Sequence, residues 1–328
     1  MAGSPHEANL REANLKEILM KTHPWFLQIS DEVAQAINER YMPVLEALLA
    51  AHEVDGNALG VTQVAYAAEP DATTAAIFLE RTPYMTETAV LANLDNGVEH
   101  GLLTAVAPQT YRLTEKGRVL AQAIPASVLD IAAGLTPLPA AQLERLAALL
   151  RQLVDASLAA PNLAKPCLER SRLYDPGAAA PVVERIRRYL NDLNAFRDDA
   201  HISAWRSYEL AGYEWETLGH VHGAYVFGEP AVTAVALAEK LGGFRGYDAA
   251  AYQAALDKLT ARGWLTVTDG QYAATAEGEQ MRAAAEEETD RLYFAPWALT
   301  GAELADLSAL LTAVRDGLQL PAQEAETA

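Results

Sequence analysis

Residues 111–117 read Tyr111-Arg-Leu-Thr-Glu-Lys-Gly117, and residues 272–278 read Tyr272-Ala-Ala-Thr-Ala-Glu-Gly278. Both are Tyr-x-x-Thr-x-x-Gly, and they lie 161 positions apart. At the same offset Leu143, Leu146, Leu149 and Leu150 fall on Leu304, Leu307, Leu310 and Leu311. Upstream the register shifts by one, as a hairpin of variable length allows. Leu94-Asp95 then matches Leu256-Asp257, and Gly101-Leu-Leu-Thr104 matches Gly263-Trp-Leu-Thr266. An ordered set of matches at a nearly constant offset is the mark of an internal repeat.

Each copy implies the same local structure. Thr86 and Asp248 stand where an N-cap belongs, and each precedes a helical run. Gly101 and Gly263 can take the left-handed conformation that stops those helices. Short strands are expected at Leu102–Val106 and Trp264–Thr268, with turns at Pro108–Thr110 and Asp269-Gly270 leading into a second strand. Thr114 and Thr275 can cap a further helix. Helix, two-stranded hairpin and capped helix, in that order, describe a winged helix.

Residues 141–158 and 302–318 carry leucines at i, i+3, i+4 spacing and read as amphipathic helices. Between the copies, proline and glycine mark a loop. From Pro181 a helix should run to about Leu210, burying Ile186, Tyr189, Leu190, Leu193, Phe196, Ala200 and Ala204. Helical segments at Glu7–Met20 and Asp31–Leu49 should come first. The expected fold is mainly α, two tandem winged-helix domains joined by a helical linker. Its ranges are an N-terminal helical extension (1–40), a first repeat (41–158), a Pro-rich linker and long helix (159–207), a second repeat (208–320) and a disordered tail (321–328).

Composition narrows the function. With 51% hydrophobic and 21% charged residues the chain is globular, and the 7% share of aromatics favours helices over sheets. The single cysteine, Cys167, can make neither an internal disulfide nor a cysteine metal site, which suits a reducing cytoplasm. No stretch has the length of a membrane span, so a cytoplasmic protein without a membrane partner is expected. The net charge of −19 opposes contact with phosphate backbones, because nonspecific DNA affinity comes from cations displacing counterions. Residues 159–207 hold eight basic and six acidic side chains, whereas residues 208–328 hold seven and nineteen. The middle of the chain is the part that leans basic.

The Tyr-x-Leu-Thr-x-x-Gly string after Gly-Leu-Leu resembles the wing of MarR-type regulators, and equally the dimerisation domains of some O-methyltransferases. The second option requires a Rossmann domain with its glycine-rich loop, and none is present in the sequence. The second half resembles the SalK-like helix-turn-helix family. The resemblance rests on Arg197-Asp-Asp199-Ala-His201, the helix end from Ala255-Leu256 to Arg262-Gly263, Thr275-x-x-Gly278, Glu286-x-x-Thr289-Asp290 and Pro296-Trp297. It implies a MarR-like fold and a regulatory role, with no chemistry to carry over.

Three constellations are candidates for function. The recognition helices, Thr86–His100 and Asp248–Arg262, would enter a major groove, and Arg112, Lys258 and Arg262 are the cations at hand for nucleic acid. Arg197, His201 and Trp205 recur at i, i+4 and i+8 on the long helix, and with Tyr208 and Trp215 they could wall a pocket for a small anionic or aromatic ligand. The bland reading is a satisfied histidine among core aromatics, with Asp199 pointing elsewhere to bridge an arginine. Glu216, His220 and His222 are weak metal candidates that match no ligand motif, so no metal or cofactor is assigned. The arginines at 170, 172, 185, 187, 188, 197 and 206 could face phosphate or bridge to the acidic repeats. Nothing resembles a nucleophile with its base, so an enzyme is disfavoured. The expected function is that of a winged-helix, ligand-responsive transcriptional regulator acting on double-stranded DNA, as a homodimer or through its paired repeats. The alternative is a small-molecule- or protein-binding module that kept the fold without DNA contact.

Overall fold

The computed structural model describes residues 23–161, 163–223 and 231–319. The expected helix at Glu7–Met20 and the tail at 321–328 lie outside the described residues. The described chain is mainly helical. In order, it comprises α1 (Pro24–His52), α2 (Gly56–Ala68), α3 (Ala75–Leu79), α4 (Glu87–Glu99), β1 (Leu103–Ala107), β2 (Thr110–Leu113), α5 (Glu115–Gly134), α6 (Ala140–Ala159) and α7 (Pro166–Ser171). These are followed by α8 (Val182–Arg206), α9 (Gly212–His222), α10 (Ala234–Arg245), α11 (Ala249–Ala261), β3 (Leu265–Thr268), β4 (Gln271–Ala274), α12 (Ala276–Phe294) and α13 (Gly301–Leu318). Among the described residues no helix is long and apolar enough to cross a membrane.

Two compact units form, and both are discontinuous: residues 1–46, 125–200 and 290–328 in one, residues 47–124 and 201–289 in the other. The ranges read from the sequence follow repeat order along the chain. Compactness divides it elsewhere, because α1, α5, α8 and α12 each contribute residues to both units.

Among the described residues the first unit is built of helices that share an apolar core. Phe26, Val33 and Ile37 of α1 meet Leu146, Leu150 and Leu153 of α6, Ile186, Leu193 and Phe196 of α8, and Leu307, Leu311 and Val314 of α13. The expected stripe of α8 is buried throughout, Ala204 included. Asp199 departs from expectation. Its two carboxylate oxygens accept the backbone N–H groups of Cys167 and Leu168, both at 2.9 Å, and so satisfy the orphan donors that open α7. Burial raises its pKa against those two bonds. An aspartate on a helix face can meet a helix N-terminus as readily as an arginine, and spacing does not distinguish the two.

The second unit holds both copies of the repeated motif. Thr86 accepts from the Ala89 N–H at 3.0 Å and Asp248 from the Ala251 N–H at 2.8 Å, so α4 and α11 are capped as expected. Gly101 (φ +70°) and Gly263 (φ +79°) end the two helices in the left-handed region. Each hairpin is antiparallel. Thr114 accepts from Gly117 N–H at 3.1 Å and donates to the Gly101 carbonyl at 2.7 Å. Thr275 accepts from Gly278 N–H at 3.1 Å and donates to the Gly263 carbonyl at 2.6 Å. A Cβ on Gly117 would lie 2.1 Å from the Leu102 carbonyl oxygen, and one on Gly278 would lie 2.1 Å from that of Trp264. The Tyr111 hydroxyl donates to Asp95 at 2.7 Å, and that of Tyr272 lies 3.4 Å from Asp257. Burial, then the Asp95 carboxylate, pushes the Tyr111 phenol up to about 12. Each second strand also meets a residue just ahead of a helix: Tyr111 forms a β-bridge with Thr73 at 2.8 and 2.9 Å, and Tyr272 N–H donates to the Val232 carbonyl at 2.9 Å. The residues of Tyr-x-x-Thr-x-x-Gly therefore have matching structural duties in both places.

Leu94 and Leu256 are fully buried. Alanine at either should cost about 2–5 kcal/mol, read as a lowered urea midpoint. Gly278→Ala should cost about 1–3 kcal/mol, because its methyl must displace backbone rather than a flexible side chain. Wild-type midpoints for all three variants would refute this packing.

Candidate functional site

The surface that a helix-turn-helix protein offers to DNA is the outer face of its recognition helix. On α4 the exposed side chains are Glu87, Thr88, Ala92, Asp95 and Glu99, and on α11 they are Ala250, Gln253, Ala254, Asp257 and Ala261. Neither set contains a cation. Lys258 bonds Glu214 at 2.6 Å, Arg262 donates to the Tyr208 carbonyl at 2.6 Å and lies over the Trp264 ring, and Arg112 donates to the Pro70 carbonyl. All three expected phosphate contacts have intramolecular partners.

The N-terminal end of α4 is occupied as well. Thr86 N–H donates to the Arg245 carbonyl at 2.8 Å. Gly246 (φ +83°) follows, and a Cβ there would lie 2.3 Å from Thr86 Oγ1 and 2.8 Å from the Ala89 methyl. A Cβ on Gly212 would lie 2.2 Å from the Pro83 carbonyl. Trp205 Nε1 donates to Tyr84 at 3.2 Å. Arg245 lies over the Tyr84 ring at 5.3 Å, and its guanidinium holds Glu216 at 2.6 Å. The segment leading into α4 is thus packed against the turn between α10 and α11. Repeat matching could not find this contact, since it joins unlike positions of the two copies. Gly246, set between Arg245 and the cap Asp248, was its one signal.

Four of the expected pocket residues come together in the second unit. Trp215 is fully buried, stacked between Tyr208 (5.8 Å, 12°) and Trp205 (6.4 Å, 13°), with Arg282 over its ring at 5.0 Å. Its indole N–H donates to His201 Nε2 at 3.3 Å. An accepting Nε2 places the proton of the neutral ring on Nδ1, which faces Thr289 Oγ1 at 3.4 Å and Glu286 at 3.8 Å. The rings pack on one another and the histidine is satisfied. Arg197 lies in the first unit, where it pairs with Asp290 at 3.2 Å. The arginines of the linker find partners near at hand: Arg172 with Asp175 and Asp192, Arg187 with Glu184, Arg188 with Asp192.

The weak metal candidates have other roles. Glu216 is committed to Arg245, and burial raises its pKa against that cation. His220 is buried beside Lys240, Arg245 and Arg282, and His222 ends α9. Among the described residues no three His, Cys, Asp or Glu side chains are placed to hold a metal ion.

Residues 183–320 match the model of a helix-turn-helix family. That match includes the second Tyr-x-x-Thr-x-x-Gly segment and not the first, and a helix-turn-helix domain suggests a DNA-binding, regulator-like role. No curated protein and no solved structure matches the chain.

Burial first, then the three neighbouring cations, lowers the His220 pKa from 6.5 to about 4. Between those values the unfolded chain binds the proton and the folded chain does not. Stability attributable to His220 should therefore be complete above pH 6.5, fall as pH drops toward 4 and level off below. Glu216 acts in the opposite sense, since its raised folded pKa favours the folded state most at low pH. His220→Gln retains Glu216, so the wild-type minus variant difference in melting temperature isolates the histidine. A difference that does not vary with pH would contradict its assignment.

Proposed function

We infer that this chain is a winged-helix protein of the transcriptional-regulator type, with two helix-turn-helix units in tandem. The observation that carries this reading is the family match over 183–320, joined to the shared geometry of the two Tyr-x-x-Thr-x-x-Gly segments. Three features support the winged-helix form in particular: the capped recognition helix, the hairpin behind it, and the backbone bonds of Thr73 and Val232 to the hairpins' second strands. The likeness to MarR-type and SalK-like proteins fits this reading, as does a cytoplasmic location.

The mode of DNA contact on this reading is constrained. A helix-turn-helix dimer sets the base-reading ends of its two recognition helices in successive major grooves, about 34–36 Å apart. Here Gly246, two residues before the Asp248 cap, touches Thr86. Chain dimensions then limit the two N-caps to about 14 Å apart. The pair cannot read two successive grooves together, so a duplex would meet one unit per chain, and α11 has the more open N-terminus. A palindromic site would require two copies of the chain.

The absence of exposed cations on α4 and α11 favours a second reading, a binding module that kept the winged scaffold without nucleic acid. Gel shifts decide between them. On the first reading a genomic fragment library yields a specific site, whose affinity drops on Lys258→Ala or Arg262→Ala and is unmoved by Thr88→Ala. Random fragments should bind more weakly at physiological salt than the about 1–100 µM usual for nonspecific binding. Failure to enrich any site at low salt would leave the second reading standing, and tight nonspecific binding insensitive to salt would overturn the charge argument common to both.

A further inference from the structure

The first unit contains a cavity of about 300 Å³, walled by the start of α1, the middle of α8 and the end of α12. Phe26 and Tyr293 line it, and both are 1% exposed. Asp31, Asn191, Asn194 and Arg197 supply polar groups. At about 30 Å³ per water-sized group, the space takes on the order of ten non-hydrogen atoms.

Two polar groups in this wall lack an answer from the protein. Asp31 makes no hydrogen bond or ion pair among the described residues, and its carboxylate feels Arg197 only at a distance. Tyr293 is buried and lines the cavity, and its hydroxyl makes no hydrogen bond among the described residues. Buried polar groups are normally bonded, and an unbonded buried phenol beside a carboxylate without a salt bridge marks a place where a ligand can supply the bonds. The balance of charge indicates what it is. Arg197 is paired with Asp290, so the two carboxylates outnumber the one cation, and the acid facing the cavity is the one without a salt bridge. The floor consists of two aromatic rings, which favour a cation over an anion.

We propose that this cavity binds a small organic cation, an amine or amidinium of aromatic or alkyl type, whose N–H groups bond the Asp31 carboxylate and the Tyr293 oxygen while its apolar part rests on Phe26. Asn191 and Asn194 stand at hand for a further polar group on the ligand. The proposal concerns the unit without recognition helices, so it holds on either reading of the second unit and does not depend on DNA binding. It differs from the anionic ligand that Arg197 alone suggests. Burial raises the Asp31 pKa and Arg197 opposes the rise, so the carboxylate that holds the cation is lost at a higher pH than an ordinary aspartate would be.

The test uses the full chain, with tyramine, benzamidine and agmatine as probes and 4-hydroxyphenylacetate as the matched anion, followed by calorimetry and thermal shift. At least one of the three cations should bind saturably and raise the melting temperature, and the anion should not. Asp31→Asn should weaken that binding about tenfold or more, the loss of a hydrogen bond to a charged group. Asp31 is exposed, so this variant should fold as the wild type does. Tyr293→Phe, which keeps the ring, should weaken binding several-fold. Affinity should fall as pH is lowered through the Asp31 titration. No binding by any of the three cations would overturn the proposal. So would equal or tighter binding of 4-hydroxyphenylacetate, or undiminished binding by Asp31→Asn.

Discussion

Two carbonyl oxygens, those of Leu102 and Trp264, fix how each hairpin meets its helices. Each accepts the backbone N–H of the threonine that caps the following helix, at 3.0 Å. Each also stands where the Cβ of Gly117 or Gly278 would be. The threonine hydroxyl ties the same point to the glycine that ends α4 or α11. Helix end, strand start and next helix are thus joined through a single capping residue. A Thr cap is worth about 1 kcal/mol by itself. Its larger effect here is geometric, since only glycine three residues later lets the helix approach that closely. Once the approach is made, the tyrosine of the motif reaches an aspartate on α4 or α11, and the hairpin cannot slide without breaking that contact.

This explains why so much of the second unit could be read from the sequence. Tyr, Thr and Gly in the motif answer to backbone constraints that few other residues meet, so they recur in both copies while their neighbours diverge. Caps at Thr86 and Asp248, stops at Gly101 and Gly263, and core positions Leu94 and Leu256 were legible for the same reason. Helices α2 and α9 were not, although Asp55 caps the first and left-handed Gly223 ends the second, because their apolar residues lack a clear period. Site residues were legible only in part. His201 and Trp205, read from one helix face as pocket residues, lie beside the buried ring of Trp215. The same face could not show that α8 contributes Arg197 to one compact unit and His201 to the other, because compactness is decided by partners distant in sequence. Asp31 and Tyr293 belong to no motif at all, and only folding brings them to one cavity.

Charge adds a constraint of its own. An acidic chain can still bind DNA where its few cations are presented together, but Arg112, Lys258 and Arg262 are each engaged at home. Freeing one for a phosphate means giving up a bond already made, so the net gain per contact is smaller than for a solvated lysine. Lys258 shows the cost most directly. Its partner Glu214 is buried, accepts the Ala211 N–H at 2.7 Å and would be left with an unpaired charge.

Arg245 joins these threads. Its side chain neutralises the buried Glu216, its guanidinium lies over Tyr84, and its carbonyl receives the Thr86 N–H. A buried ion pair of this kind adds little net stability, because desolvation offsets most of the attraction, yet removing one partner strands the other. What the pair does hold is position: it sets the turn before α11 so that Gly246 can lie against the start of α4, where any side chain would intrude. In a helix-turn-helix dimer the corresponding ends are separated and face the duplex. In this chain the segments leading into α4 and α11 pack on each other, and the residues that keep them together close the N-terminal approach to α4. On the proposed reading, DNA contact in the second unit therefore depends on what α11 and the outer faces can still present, and a small organic cation would be taken by the unit that holds the Asp31 cavity.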